Sequence, residues 1–69
     1  MDSQTKRIYD YLLSGKTITP LEALKLFDCM RLSARIKDLR KSGVDIVTSM
    51  ETHENKNGEK KRYARYWLK

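Results

Sequence analysis

The chain has 69 residues, with 15 Lys and Arg against 9 Asp and Glu for a formal net charge of +6, and a hydrophobic fraction of 39%. A chain this short buries only about 60% of its unfolded surface, so one small domain spanning residues 1–69 is expected, with little volume left for an enclosed catalytic pocket. A single cysteine, Cys29, and a single histidine, His53, exclude an internal disulfide, a four-ligand zinc site and a histidine-based triad.

The opening segment Met1-Asp2-Ser3-Gln4-Thr5-Lys6-Arg7 lacks the apolar run of a signal peptide, and no later apolar stretch is long enough to span a bilayer. A reduced, cytoplasmic setting is expected. A folded and strongly basic chain points first to a polyanionic partner, of which nucleic acid is the commonest.

The first predicted helix runs from Ser3 to Ser14. Ser3 is placed to cap it, Gly15 to end it in a left-handed conformation, and Ile8, Tyr11 and Leu12 form its apolar face. Lys16-Thr17-Ile18 is too short for a helix and reads as a brief extended piece. Thr19-Pro20-Leu21-Glu22 then carries the clearest local signal, a capping box with proline in the first turn. Leu21, Ala23, Leu24 and Phe27 are expected along one side of the second helix, which ends at Asp28. A helix of barely two turns does not persist alone in water, so its neighbours must hold it.

A third helix is predicted from Met30 to Ser42, stopped by Gly43. Leu32, Ile36 and Leu39 repeat at helical spacing and mark its buried stripe; Met30, Arg31, Ser33, Ala34, Lys37 and Lys41 occupy the opposite arc. Arg35 and Asp38 lie on the flanks, three residues apart, and can form an ion pair. The period then changes to two. Val44 to Thr52 reads as a strand with Ile46, Thr48 and Met50 on one face, and Lys60 to Leu68 as its return, with Ala64, Tyr66 and Leu68 on one face against Tyr63, Arg65 and Trp67. Between them Asn57-Gly58 is a strong turn signal.

Two short helices joined by a tight turn, the second with a basic outer face made of small residues, form a helix-turn-helix, and a hairpin directly after them supplies a wing. The fold class expected is therefore α+β: a winged helix-turn-helix of three helices plus a C-terminal β-hairpin. Over about residues 4 to 68 the sequence resembles the small helix-turn-helix domains encoded by bacteriophages and prophages. The likeness is carried by Thr19-Pro20-Leu21-Glu22-Ala23-Leu24, Arg31-Leu32-Ser33-Ala34-Arg35-Ile36-Lys37-Asp38-Leu39-Arg40 with Gly43, and Arg62-Tyr63-Ala64-Arg65-Tyr66-Trp67-Leu68. It implies the winged-helix fold and a DNA-binding role.

A major groove about 12 Å wide admits one helix, whose N-terminal half reads base edges. The candidate base contacts are Arg31, which can pair bidentately with guanine, Ser33, Ala34, which is small enough to meet a thymine methyl, and Lys37. Candidate backbone contacts are Lys41 and Arg35 on the same helix, Thr17 and Thr19 before the second helix, and Lys56, Lys60, Lys61 and Arg62 on the wing. Structural readings compete at several of these positions. Arg35 can be held by Asp38, and the Lys60-Lys61-Arg62 run can serve only to protect an exposed strand. Arg40 reads as structural or solvated, Tyr63 and Trp67 as packing residues, Cys29 as a small apolar filler and His53 as a plain loop residue.

Double-stranded DNA is the expected partner, with a phage or prophage transcriptional regulator as the leading function. The alternatives are an excisionase-like factor that bends DNA, and a module that docks on and inhibits a host protein. A homodimer remains open, with Tyr9, Leu13 and Leu26 the apolar hints of an interface. Nothing in the sequence calls for a cofactor or small-molecule substrate, and without a His, Cys and acid cluster or a glycine-rich phosphate loop no enzyme is expected.

Overall fold

The computed structural model describes residues 3–69. The elements follow in the order α1 (Ser3–Leu13), α2 (Pro20–Phe27), α3 (Leu32–Lys41), β1 (Ile46–Glu54) and β2 (Lys60–Leu68). This is the α+β arrangement expected: three helices followed by a two-stranded antiparallel hairpin. The helices and the base of the hairpin share one core of Ile8, Leu12, Ile18, Ala23, Cys29, Leu32, Ile36, Leu39, Ile46 and Tyr66.

In α1 the buried residues are Thr5, Ile8 and Leu12, spaced three and four apart along one stripe. Ser3 is the first helical residue rather than the cap before it; a cap would lie outside the described residues. The helix stops one residue sooner than expected, and Gly15 adopts φ +88°, which an L side chain tolerates poorly. The chain then passes through a short extended piece whose central contact is a bridge to β2. Ile18 N–H donates to the Tyr66 carbonyl and Tyr66 N–H to the Ile18 carbonyl, each at 2.9 Å. Ile18 thus lies against β2 on the side away from β1.

The capping box at α2 forms in full. Glu22 N–H donates to Thr19 Oγ1 at 3.3 Å, and Thr19 N–H donates to Glu22 Oε1 at 3.0 Å. The apolar side of this helix is narrower than its composition suggests. Ala23 is buried and Phe27 half-buried, with the Phe27 ring edge-on to Tyr11 at 5.5 Å between centroids. Leu21 and Leu24 turn outward, 60% and 42% exposed, because an eight-residue helix packed between α1 and α3 has room for only one strip of contact. The left-handed backbone of Asp28, φ 56°, then reverses the chain, and Cys29 drops into the core.

Helix α3 begins at Leu32 rather than Met30. Arg31 takes the N-cap position with extended φ −130° and ψ 63°, and its carbonyl receives the first helical N–H bonds, from Ala34 at 3.1 Å and Arg35 at 3.3 Å. The other end closes by the paired bonds of a left-handed glycine cap: Gly43 N–H to the Arg40 carbonyl at 3.0 Å and Val44 N–H to the Leu39 carbonyl at 3.1 Å, with Gly43 at φ +92°. Because Gly43 and Val44 complete this cap, β1 starts two residues later than the β-branched run suggests. It also continues two residues further, to Glu54.

The hairpin register pairs Ile46 with Leu68, Thr48 with Tyr66, Met50 with Ala64, Thr52 with Arg62 and Glu54 with Lys60. Its turn is not the two-residue type that Asn57-Gly58 alone suggests. Gly58 N–H closes a four-residue turn onto the Asn55 carbonyl at 3.0 Å, and only Gly58, at φ +78°, enters the left-handed region. The Asn55 side chain braces the loop, its Oδ1 accepting from Asn57 N–H and Glu59 N–H, both at 3.0 Å.

Candidate nucleic-acid interface

With Leu32, Ile36 and Leu39 buried, the opposite side of α3 faces solvent. Ser33, Lys37 and Lys41 are exposed there and Ala34 is half-buried. Arg31 is exposed just ahead of the first turn, its side chain uninvolved in capping. The structure therefore gathers Arg31, Ser33, Ala34, Lys37 and Lys41 on one outward surface of a single helix and its cap.

Arg35 sits on the flank, with Nη2 3.2 Å from the Asp38 carboxylate and its side chain 28% exposed. Such a pair at a partly solvated helix surface contributes little to stability, but it holds the guanidinium beside an acid rather than out in front of the helix. Arg40, on the other flank, reaches across to β1. Its Nη2 donates to the Ile46 carbonyl and to Thr48 Oγ1, both at 2.8 Å, which ties the end of α3 to the base of the wing.

The structure places two expected backbone contacts, Thr17 and Thr19, in internal hydrogen bonds. Thr19 is buried, and its amide and hydroxyl are both engaged in the capping box. The Thr17 hydroxyl accepts a hydrogen bond from Arg65 Nη1 at 2.8 Å and belongs to an internal network. Both residues lie where the chain enters α2, and that junction is built from the threonines themselves.

Arg65 is the centre of that network and was not a candidate from sequence. Its Nε donates to both carboxylate oxygens of Glu51 on β1, at 3.0 and 3.1 Å, while Nη1 meets Thr17 and lies 3.5 Å from Glu22 Oε1. One side chain thus joins both strands of the wing to the start of α2. Its hydrogen bond, with another from Tyr63, holds the Glu51 carboxyl below the ordinary carboxylate range. The hydrogen bond to Glu51 likewise raises the Arg65 guanidinium, against a smaller opposing effect of burial. The sequence signal was present but dispersed: Arg65 lies between Tyr63 and Trp67 on one strand face, and Glu51 lies on the matching face of β1. Only the register brings them together.

The wing cations Lys56, Lys60, Lys61 and Arg62 are all exposed. Strand alternation divides the consecutive three. Lys60 and Arg62 share a face with Ala64 and Tyr66, whereas Lys61 projects from the face of Tyr63 and Arg65. The cations therefore flank the ribbon on both sides instead of forming one patch. Beside Lys61 and Tyr63, an open groove separates β2 from Pro20 and Leu21 at the start of α2, with His53 on its rim.

Among the described residues, no group of three His, Cys, Asp or Glu side chains could hold a metal ion, and no helix is long and apolar enough to cross a membrane. No curated protein matches the chain. The description "winged helix-turn-helix domain" belongs to a family whose model matches residues 3–69. Helix-turn-helix domains are typically DNA binders without catalytic activity, and this chain belongs to the winged helix-turn-helix domain family.

Proposed function

We propose that this protein binds double-stranded DNA by laying α3 in the major groove and the hairpin along the backbone or into the adjacent minor groove, and that it acts as a transcriptional regulator of the kind phages and prophages encode. The observation that carries the reading is the outward surface of α3: exposed Arg31, Ser33, Lys37 and Lys41 surround the small Ala34, on a helix whose opposite stripe is buried. A close approach of the helix to base edges needs that small residue at its centre, and cations at its ends engage phosphates.

In this reading Arg31, Ser33, Ala34 and Lys37 meet base edges, while Lys41, Lys56, Lys60, Lys61 and Arg62 meet phosphates. Arg35 contributes only if it exchanges Asp38 for a phosphate. The wing cations on both sides of the ribbon favour insertion between two phosphate strands over contact with one. The phage or prophage setting, and with it the cytoplasm of a bacterial cell, rests on the sequence resemblance alone.

A selection of bound sequences from random duplexes, repeated with Arg31→Ala, tests the reading. Base reading by Arg31 gives weaker binding and a changed preferred sequence. Failure of the protein to shift any duplex in dilute buffer overturns the proposal. A second reading, docking on a host protein, is favoured by the exposed Leu21 and Leu24 on α2; recovery of one host protein together with indifference to every duplex would select it.

A further inference from the structure

One edge of the hairpin has, among the described residues, no strand beside it and meets only the Arg40 side chain, at its Ile46 end. Among the described residues, β2 pairs with Ile18 on one side and β1 on the other, while β1 pairs only with β2. The hydrogen bonds at either end of the ladder fix which main-chain groups of β1 face outward. Lys69 N–H donates to the Asp45 carbonyl at 3.1 Å and Asn55 N–H to the Glu59 carbonyl at 2.9 Å. In an antiparallel ladder hydrogen-bonded pairs alternate, so Val47, Ser49, Glu51 and His53 direct their N–H and C=O groups to β2. Thr48, Met50, Thr52 and Glu54 direct theirs into solvent. Their side chains are exposed as well, Met50 at 55%.

Edge strands in soluble proteins are commonly blunted by lysine, proline or a bulge. This one has no proline, no bulge, and no Lys or Arg between residues 42 and 55; only Arg40, from α3, reaches it, at its Ile46 end. Two chains of net charge +6 repel each other over most of their surfaces. Within β1 the edge carries Glu51 and Glu54 but no Lys or Arg, and Arg40 stands at its Ile46 end, so antiparallel copies can meet acid to cation there, and the edge presents unspent hydrogen-bonding groups.

We propose that β1 is a self-association edge, along which two copies of this chain pair antiparallel about Met50 to make one continuous sheet. In that register Met50 lies opposite the partner's Met50 and Thr48 opposite the partner's Thr52, and these outward amides and carbonyls satisfy one another. On the other face Ser49 meets the partner's Glu51. The neighbouring registers are disfavoured. A shift one way sets Glu51 directly against the partner's Glu51, two like charges at the closest cross-strand distance. A shift the other way pairs Thr48 with the partner's Met50 and leaves only two pairs that do not need Ile46, whose carbonyl Arg40 occupies, against three in the register centred on Met50. The Arg40 guanidinium ends the pairing there and offers a cation to the partner's Glu54 as it arrives. The proposal concerns the protein free of DNA, since a ribbon inserted between two phosphate strands leaves no edge for a second copy.

Sedimentation of the full chain without DNA, across a concentration series at moderate salt, tests it together with amide hydrogen exchange. The mass should rise toward that of a dimer, and the Thr48, Met50 and Thr52 amides should gain protection with concentration while Ser49 and Glu51 are protected throughout. Met50→Lys and, separately, Thr52→Lys should weaken the dimer roughly tenfold or more by placing like charge on the edge, leaving the Ser49 and Glu51 amides protected. A protein that stays monomeric to millimolar concentration overturns the proposal, as does a dimer indifferent to both substitutions or one that leaves the Thr48 and Met50 amides in fast exchange.

Discussion

Arg65 Nε donates to both carboxylate oxygens of Glu51 at 3.0 and 3.1 Å, a cross-strand clamp inside the wing that also reaches Thr17 and Glu22. The folded protein therefore stabilises ionised Glu51 relative to the unfolded chain. Since the folded carboxyl lies below its ordinary value, this stabilisation is complete above that value and is lost as pH falls through the folded one. Glu51→Gln should lower the thermal midpoint at neutral pH and flatten its decline in acid, read by melting curves between neutral pH and about pH 3. Parallel curves for the two proteins would show that the clamp carries no linked proton.

The capping box predicts a purely structural effect at Thr19. Thr19→Ala removes the acceptor for the Glu22 amide and should destabilise the protein by about 1 kcal/mol, measured by urea unfolding. The salt dependence of DNA binding should not change, because the residue is buried. A lower salt slope in this variant would return Thr19 to the phosphate contacts.

Ile36 is 1% exposed at the middle of the α3 stripe. Ile36→Ala should remove about 2–5 kcal/mol, which in a domain this small approaches the whole stability, and far-UV circular dichroism at 37 °C should show a largely unfolded chain. A loss below about 1 kcal/mol would mean that the α3 stripe packs less tightly than its burial indicates.

If five to seven phosphates are neutralised, log K should fall against log salt with a slope of about −5 to −6. Lys60→Ala and Arg62→Ala should each bring the slope about one unit closer to zero and weaken all sequences alike, whereas Arg31→Ala should change sequence preference. Titrations at several salt concentrations separate the two. An unchanged slope in both wing variants would remove the wing from the interface.

The fold was legible in the sequence to a large extent, because its signals are local. Leu32, Ile36 and Leu39 announce a buried stripe by spacing alone, Thr19 to Glu22 announce a helix start, and Gly43 announces a stop. What escaped depended on contacts between distant segments. The outward turn of Leu21 and Leu24 follows from how little of α2 its neighbours can cover, which no periodicity within eight residues reveals. Thr17 looked free because its partner, Arg65, lies 48 residues away, across a hairpin whose register was unknown. Boundaries moved for the same reason: Val44 has a strand former's side chain, but its amide is committed to ending α3.

The candidate surface on α3 could be read because one face of a helix follows from the other. The wing was harder, since a run of cations says nothing about how pleating distributes it. Lys60 and Arg62 point to one side and Lys61 to the other only once the pairing of Thr52 with Arg62 is known.

The brace that Asn55 makes across the hairpin tip has a consequence for any ligand the wing meets. Two amides of the loop are already fastened to one side-chain oxygen, so Lys56 projects from a frame set during folding. The loss of backbone freedom at the tip is incurred once, when the protein folds, and is not repeated at each encounter. Replacing Asn55 would transfer that loss to the moment of contact, slackening a grip whose charges had not changed.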